Sequence, residues 1–364
     1  MNAFVNPVDQ RPLRVGVAGA GAIGCTLAAL LARAGAAVHV LARGASLTSL
    51  RRDGVRLRRQ GQCLQAAVVA SDDAHALGPQ DVLFLCAKAQ DVARLLQAAL
   101  PMVGPQTCVV PLVNGVPWWY FQALPGPWQG RAVRAVDADG ALLALLPVAQ
   151  IAGAVVFITA ERLGPGEVLS DNPLLLVLGE LDHSLQSDRL QRIAVWLERA
   201  GIEARIAPQI RDTLWTKVLA NLTSNPLSVI AGATLQNIYG DARLQPIVRQ
   251  MLQEGLALAA ACGARIAFAP ASFMAEGAAM GEVRTSMLQD FEAGRSLELA
   301  AIGDAVLELA RLQGMAMPVT ERVIALAHFR DEARSAHADA AAREPATSMT
   351  TTMTITDRIQ EVSP

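Results

Sequence analysis

A parallel α/β domain followed by an all-helical domain is the fold class this sequence predicts, on three observations. Short, continuously apolar runs alternate with helical patterns over residues 1–208, the texture of a parallel sheet covered on both faces. A glycine-rich turn joins the first run to the first helix. From residue 209 to 334 the chain changes to long Ala-, Leu- and Met-rich segments at helical spacing.

The elements follow in order. LRVGVAG reads as a strand, AIGCTLAALLARAG as a helix, and AAVHVLAR as a second strand. DVLFLCAK and TCVVPLVNG read as further strands, each an unbroken apolar run. The uncharged stretch from Gly140 to Ala160 approaches the length of a bilayer span. Pro147, Gln150 and Gly153 interrupt it, and Asp137-Ala138-Asp139-Gly140 before it reads as a turn. Two buried strands, ALLALLPV and AGAVVFIT, are the expected structure there. In the second half, Pro226, Gly240, Gly263, Pro270, Gly294 and Pro318 punctuate the helices. Residues 335–364 turn polar and Thr-rich and read as a mobile tail.

Composition narrows the function classes. With 31 basic and 33 acidic residues the net charge is −2, which offers no basic excess for nucleic acid or an acidic membrane. A small-molecule partner is the expectation. Aromatics are only 4% of the chain, leaving Ala, Leu and Val to fill the core. Cys25, Cys63, Cys86, Cys108 and Cys262 share no metal-ligand spacing, and three lie in apolar runs. Reduced thiols, no metal and a cytoplasmic location are expected. The N-terminal MNAFVNPVDQ lacks the charged and apolar regions of a secretory signal.

Gly19, Ala20, Gly21, Ala22, Ile23 and Gly24 form a GxGxxG between a strand and a helix. Its glycines permit a tight turn and let a pyrophosphate approach the helix N-terminus, the arrangement of a Rossmann-like, doubly wound dinucleotide-binding domain. A glycine-rich packing turn is the plainer alternative. About 20 residues on, where an NAD enzyme usually carries an acid, stands Arg43. A guanidinium there can pair with a 2′-phosphate, which favours NADPH; a solvated surface arginine is the alternative. Lys88 and Asn114-Gly115 end the two later strands at the edge where parallel sheets bind ligands.

Within WTKVLANLTSNP, Lys217, Asn221 and Asn225 recur at four-residue spacing and so share one helix face. Such a polar row needs partners: a substrate's carboxylate and carbonyl oxygens, or interhelical bonds. Pro226 is expected to bend the helix just after Asn225. In TSMLQDFEAGRSLELA a straight helix would hold Ser286 and Glu298 about 18 Å apart. A break at Gly294, with Ser296 as the next N-cap, would fold Glu298 back toward Ser286.

These pieces in this order resemble the ketopantoate reductase (2-dehydropantoate 2-reductase) family, from about Leu13 to Ala327. GAGAIG, Arg43, Lys88, Asn114-Gly115, LWTKVLANLTSNPLSVIAGAT and SMLQDFEAGRSLE carry the resemblance. It implies NADPH-dependent reduction of ketopantoate to pantoate, a step toward pantothenate and coenzyme A. It makes Lys217 the catalytic acid and Glu298 the second catalytic residue. Asn114, Asn221, Asn225 and Ser286 would hold the substrate, with Asn114 and Lys88 beside the nicotinamide. The chemistry agrees, since hydride delivered to a ketone carbon leaves charge on its oxygen, which a protonated lysine can stabilise and neutralise.

Two features depart from the family pattern. Members commonly follow the glutamate with Ile-Asp and reach Asn-Gly, whereas Glu298 is followed by Leu299-Ala300-Ala301 and then Gly303-Asp304. A polar neighbour is lost, which leaves the orientation of Glu298 open. The passage after Asn114-Gly115 is long and aromatic, with Trp118, Trp119, Tyr120, Phe121 and Trp128. It reads either as core or dimer patch, or as an altered substrate wall favouring a bulkier 2-keto acid. A non-catalytic NADPH-binding sensor is the alternative from another class. The long apolar helices would permit a homodimer.

Overall fold

The computed structural model describes residues 12–171 and 174–343, with backbone alone over 338–343. The first half begins β1 (Arg14–Ala18), α1 (Ala22–Arg33), β2 (Ala37–Leu41) and α2 (Gly44–Asp53). A hairpin of β3 (Val55–Arg59) and β4 (Gln62–Ala66) then leaves the main sheet, and β5 (Val69–Ser71) rejoins it. After α3 (Ala74–Leu77) come β6 (Val82–Leu85), α4 (Val92–Ala99) and β7 (Cys108–Pro111). These five strands form a parallel sheet in the order β5-β2-β1-β6-β7.

Burial on both faces explains why its strands are continuously apolar. Along β6, Leu83 and Leu85 enter one core with Trp215 and Leu219, while Val82 and Phe84 enter another with Leu27 and Leu31. Each such side chain contributes about 1.5–3 kcal/mol on burial.

The stretch expected to give two strands divides differently. Ala141–Leu145 is a short helix, α5, and only Ala152–Phe157 is a strand, β8. Asp137 is the reason: its carboxylate accepts from Leu142 N at 3.0 Å and Leu143 N at 3.2 Å, filling the open donors of a helix N-terminus. Among the described residues no helix is long and apolar enough to cross a membrane.

A second hairpin, β9 (Glu161–Gly164) and β10 (Glu167–Leu169), joins β3 and β4 in a small mixed sheet of order β4-β3-β10-β9. β11 (Leu175–Glu180), α6 (Asp188–Arg199) and β12 (Glu203–Ile206) complete this half, and β11 pairs antiparallel with β8. A parallel bridge from Val109 to Ile151 sets β8 beside β7.

Beyond Ile206 the chain is helical: α7 (Ile210–Ala231), α8 (Leu235–Gly240), α9 (Gln245–Ala261), α10 (Pro270–Ala279), α11 (Ser286–Glu292), α12 (Ala305–Leu312) and α13 (Pro318–Arg343). One turn of π-helix, Ala300–Asp304, leads into α12. α7 runs through Pro226 to a left-handed Gly232, so the proline does not end it. The boundary expected at Ser335 is passed as well. Ala-rich sequence favours helix and carries α13 to Arg343; the rest of the expected tail, 344–364, lies outside the described residues, as does the N-terminal decapeptide.

Candidate active site

The carboxyl ends of β1, β2, β6 and β7 form one edge of the parallel sheet, and each carries a residue expected at the site. After β1 the glycines divide the work. A Cβ on Gly19, whose φ is 101°, would lie 2.3 Å from Cys86 O, and one on Gly24 would lie 2.0 Å from Gly19 O. These two let strand, turn and helix pack. A Cβ on Gly21 would meet nothing within 4 Å, although Gly21 stands at the N-cap of α1 with no side chain capping the helix. Open backbone at a helix start is what a pyrophosphate requires, so the turn fits a dinucleotide. Ala20, Ala22 and Ile23 are half-buried around it.

Arg43 follows β2 as the N-cap of α2. Its side chain is exposed and makes no hydrogen bond or ion pair among the described residues.

The central feature is a cleft of about 820 Å³ between the sheet edge and the helices. Asn114, Lys217, Asn221, Asn225 and Ser286 all line it, and Ile23 reaches it from the glycine turn. The polar row on α7 therefore faces the sheet edge. Asn225 is 3% exposed and accepts from Ser224 Oγ at 3.1 Å through Oδ1. Its amide nitrogen, the Asn221 side chain and Ser286 Oγ have no partners among the described residues, so their bonding capacity is available to a ligand in the cleft.

Lys217 Nζ donates to the carbonyl of Val156, near the end of β8, and stands 5.7 Å from the centre of the Phe157 ring. Burial pulls its pKa down to about 8, opposed by the negative charge of Glu298.

Glu298 reaches the sheet edge because the chain breaks where Gly294 predicts. α11 ends at Glu292, Gly294 takes φ 67°, and Arg295 N bonds back to Asp290 O at 2.8 Å, a Schellman-type stop. Ser296 is not the next N-cap. Leu297 and Glu298 lie outside any helix, and the first helical bond runs from Ile302 N to Glu298 O at 3.0 Å. Glu298 is 9% exposed; its carboxylate accepts from Ala89 N at 3.0 Å and Asn114 Nδ2 at 3.2 Å. Those two donors, after β6 and β7, orient it without the polar neighbour that the sequence lacks.

Lys88 is engaged across the same junction. Its Nζ lies 2.7 Å from Asp290 Oδ2 and 2.7 Å from Ser296 O, and Asp290 also accepts from Arg295 Nε at 2.6 Å. Asp290 escaped the sequence reading, although it lies one helical turn after Ser286 in the same motif. Tyr239 and Phe273, which wall the cleft, carried no signal in an apolar stretch.

Trp118 to Phe121 of the aromatic passage are core, and Trp128 is half-buried beside a separate cavity. Trp118, Trp119, Tyr120 and Phe121 are no more than 2% exposed, and none lines the cleft. Trp215, on the far face of α7, donates to Tyr120 OH at 2.8 Å. Of the two readings of this passage, core fits Trp118 to Phe121, and an altered substrate wall does not.

Fold and site together define a dinucleotide-dependent oxidoreductase architecture, with a glycine turn on one side of a polar cleft and a half-buried lysine on the other. Comparison with known proteins makes the class specific. The family model for ketopantoate reductase PanE/ApbA matches residues 15–183, and that for its C-terminal domain matches residues 209–331. The chain is 36% identical over 315 residues to 2-dehydropantoate 2-reductase of Mesorhizobium japonicum, covering 86% of this chain and 96% of that protein. A solved structure from Ralstonia solanacearum MolK2, provisionally described as a ketopantoate reductase, superposes with a TM-score of 0.84 at 36% identity, over 89% of this chain and 99% of that one. D-mandelate dehydrogenase, solved with NADH and anilino(oxo)acetate, shares the fold at a TM-score of 0.75 and 19% identity, over 88% of this chain and 99% of that one. The chain belongs to the ketopantoate reductase family, enzymes of the oxidoreductase class acting on CH–OH groups.

Proposed function

We propose that the protein reduces ketopantoate to pantoate with NADPH, using residues 1–208 chiefly for the cofactor and 209–334 for the substrate. The observation that carries this reading is the placement of Lys217, Asn221, Asn225, Ser286 and Asn114 around one cleft that opens to the glycine turn. Gly19 to Gly24 would hold the pyrophosphate, Arg43 the 2′-phosphate, and Asn114 the nicotinamide end. Lys88 contributes there by fixing the loop after β6 against Asp290 and Ser296.

NADPH, when bound, supplies the hydride. Lys217 holds a proton at Nζ toward the keto oxygen, stabilises the charge that develops there and then neutralises it as an alcohol. A lysine at about 8 is still protonated at neutral pH yet gives up its proton more readily than a solvated one. Glu298 keeps that ammonium charged and, through its bond with Asn114, couples the lysine's field to the sheet edge. Asn221, Asn225 and Ser286 supply donors for the substrate carboxylate and hydroxyl.

Loss of NADPH absorbance with ketopantoate and a panel of 2-keto acids tests the reading. Ketopantoate is expected to show the highest kcat/KM. The same chemistry on a bulkier acid is a second reading, favoured by the apolar wall of Leu235, Tyr239 and Phe273; a higher kcat/KM for such an acid would replace the first. Absence of turnover with every acid would leave the sensor alternative.

A further inference from the structure

We propose that Arg162, on the β9–β10 hairpin, is a second determinant of cofactor choice: with Arg43 and the Ser46 hydroxyl it binds the 2′-phosphate of NADPH. The proposal rests on the NADPH reading above and adds to it a residue that lies 119 positions from Arg43 in the chain.

The hairpin brings it there. Arg162 Nη2 donates to Ser46 Oγ at 3.1 Å, and Ser46 lies in the first turn of α2, whose N-cap is Arg43. A hydroxyl that accepts from a guanidinium is left with its own proton to donate. Arg43 and Ser46 are one helical turn apart, so both basic side chains flank the same helix start.

The arrangement is held in place independently of Arg162. Ser49 Oγ, one turn further along α2, donates to Pro165 O at 2.8 Å in the hairpin turn. Arg56 N donates to Gly166 O at 2.9 Å, and Val168 is fully buried. A guanidinium carried on an anchored hairpin loses less freedom on binding than one on a loose loop.

Charge separates this arginine from its neighbours on the same small sheet. Arg56 and Arg58 both pair with Glu167, at 3.2 and 2.7 Å. Arg162 and Arg43 have no carboxylate partner among the described residues, and the first turn of α2 contains no acid. Two unneutralised cations beside a helix start favour a dianionic phosphate ester far more than a neutral ribose hydroxyl. The charge of Arg162 is also felt at Cys25, in α1 just behind the glycine turn, where it opposes the upward push of burial on the thiol. Through Ser46, Arg162 is tied to the helix start that follows β2, the end of the sheet where the adenosine ribose of a bound dinucleotide lies.

The test is direct binding, followed by the fluorescence of NADPH and of NADH on the wild type, Arg43→Met, Arg162→Met and Arg162→Lys, with 2′,5′-ADP titrated by calorimetry as a probe without a nicotinamide. Arg162→Met is expected to raise the NADPH Kd about tenfold, the low end for losing a charge-assisted bond at an exposed site. 2′,5′-ADP should weaken in parallel, NADH should change by less than about twofold, and Arg162→Lys should recover part of the loss. Equal weakening of NADPH and NADH, or no change in either, would overturn the role of Arg162. If the wild type prefers NADPH and only Arg43→Met removes the preference, the NADPH reading stands and this proposal falls. If the wild type binds NADH as tightly as NADPH, the NADPH reading itself fails.

Discussion

α7 carries a cation on each of two faces, Arg211 buried and Lys217 half-buried at the cleft, and the contrast between them separates scaffold from chemistry. On one face Arg211, 4% exposed, donates to Tyr120 O at 2.9 Å, Leu181 O at 2.9 Å and Gln122 O at 2.7 Å. Burial pushes its pKa down to about 10, which leaves it charged at neutral pH. Each nitrogen of its guanidinium donates to a carbonyl of the aromatic passage or the β11 end, and Arg211 does not line the cleft. Six residues later Lys217 faces the cleft with one protein acceptor, the Val156 carbonyl, and two of its three N–H donors free for other contacts. A buried cation with every nitrogen bonded to backbone locks two segments together; one with a single protein acceptor, next to amides with free capacity, has donors to offer a ligand.

The largest expected effect breaks the second half of that comparison. Lys217→Met should lower kcat with ketopantoate by about 10²–10⁴-fold, the range for removing a positioned general acid, and leave the NADPH Kd nearly unchanged. Stability should move the other way. Lys217 has a folded pKa of about 8 against 10.5 for an unperturbed lysine, so below pH 8 the folded state bears an ammonium it disfavours. That penalty fades as pH rises from about 8 to 10.5. Lys217→Met should therefore melt higher than wild type at pH 7, with the gap closing near pH 10.5. A lower Tm together with an unchanged kcat would make Lys217 a structural residue like Arg211.

Arg211→Met tests the other face. Three carbonyls would lose their donor in a dry environment, for a total of about 3 kcal/mol or more, read as a clear fall in Tm by calorimetry. The kcat of the protein that remains folded should stay within about threefold, because no contact of Arg211 reaches the cleft. A selective loss of kcat at unchanged Tm would show that the two faces are not separate.

The pH profile sharpens the assignment without a substitution. The ammonium of Lys217 is lost as pH rises through about 8, so kcat for ketopantoate reduction should fall about tenfold per unit above it. Oxidation of pantoate needs the neutral amine and should instead rise toward pH 8 and level off. A reduction rate flat to pH 10 would remove the lysine as the proton donor.

The two faces were unequally legible in the sequence. Four-residue spacing put Lys217, Asn221 and Asn225 on one face because helical geometry is local, and Gly294 announced the break that brings Glu298 back. The continuous apolar runs revealed a two-sided sheet for the same reason. Most of what failed depended on partners far along the chain. One miss was local: Ala and Leu lead the helix formers, and ALLALL takes the helix they favour, with the Asp137 carboxylate filling its first open donors. Trp118 to Phe121 read as a substrate wall or as core with equal justice until α7 was seen to present Trp215 and Arg211 to them. Ser296 looked like an N-cap, but its carbonyl is engaged by Lys88 across 208 positions. Arg162 offered no local signal at all.

The smallest expected effect concerns the junction that holds Glu298. Asp290 ties Lys88 to the helical half at 2.7 Å, while the adjacent Ala89 N holds the Glu298 carboxylate at 3.0 Å. Asp290 thus acts on Glu298 through the loop after β6, and it is a positioning residue. Asp290→Asn keeps the shape and removes the charge, so Lys88 would retain the Ser296 carbonyl and a weaker amide contact. At a partly exposed pair this loss is about 1 kcal/mol. It should appear as a fall in kcat of about fivefold with little change in KM for ketopantoate. Because the ammonium–carboxylate bond is electrostatic, the exchanged pair Lys88→Asp with Asp290→Lys should recover more activity than either single change. A double variant no better than the worse single one would mean that the loop after β6 is held by packing, and that Glu298 takes its position from Asn114 alone.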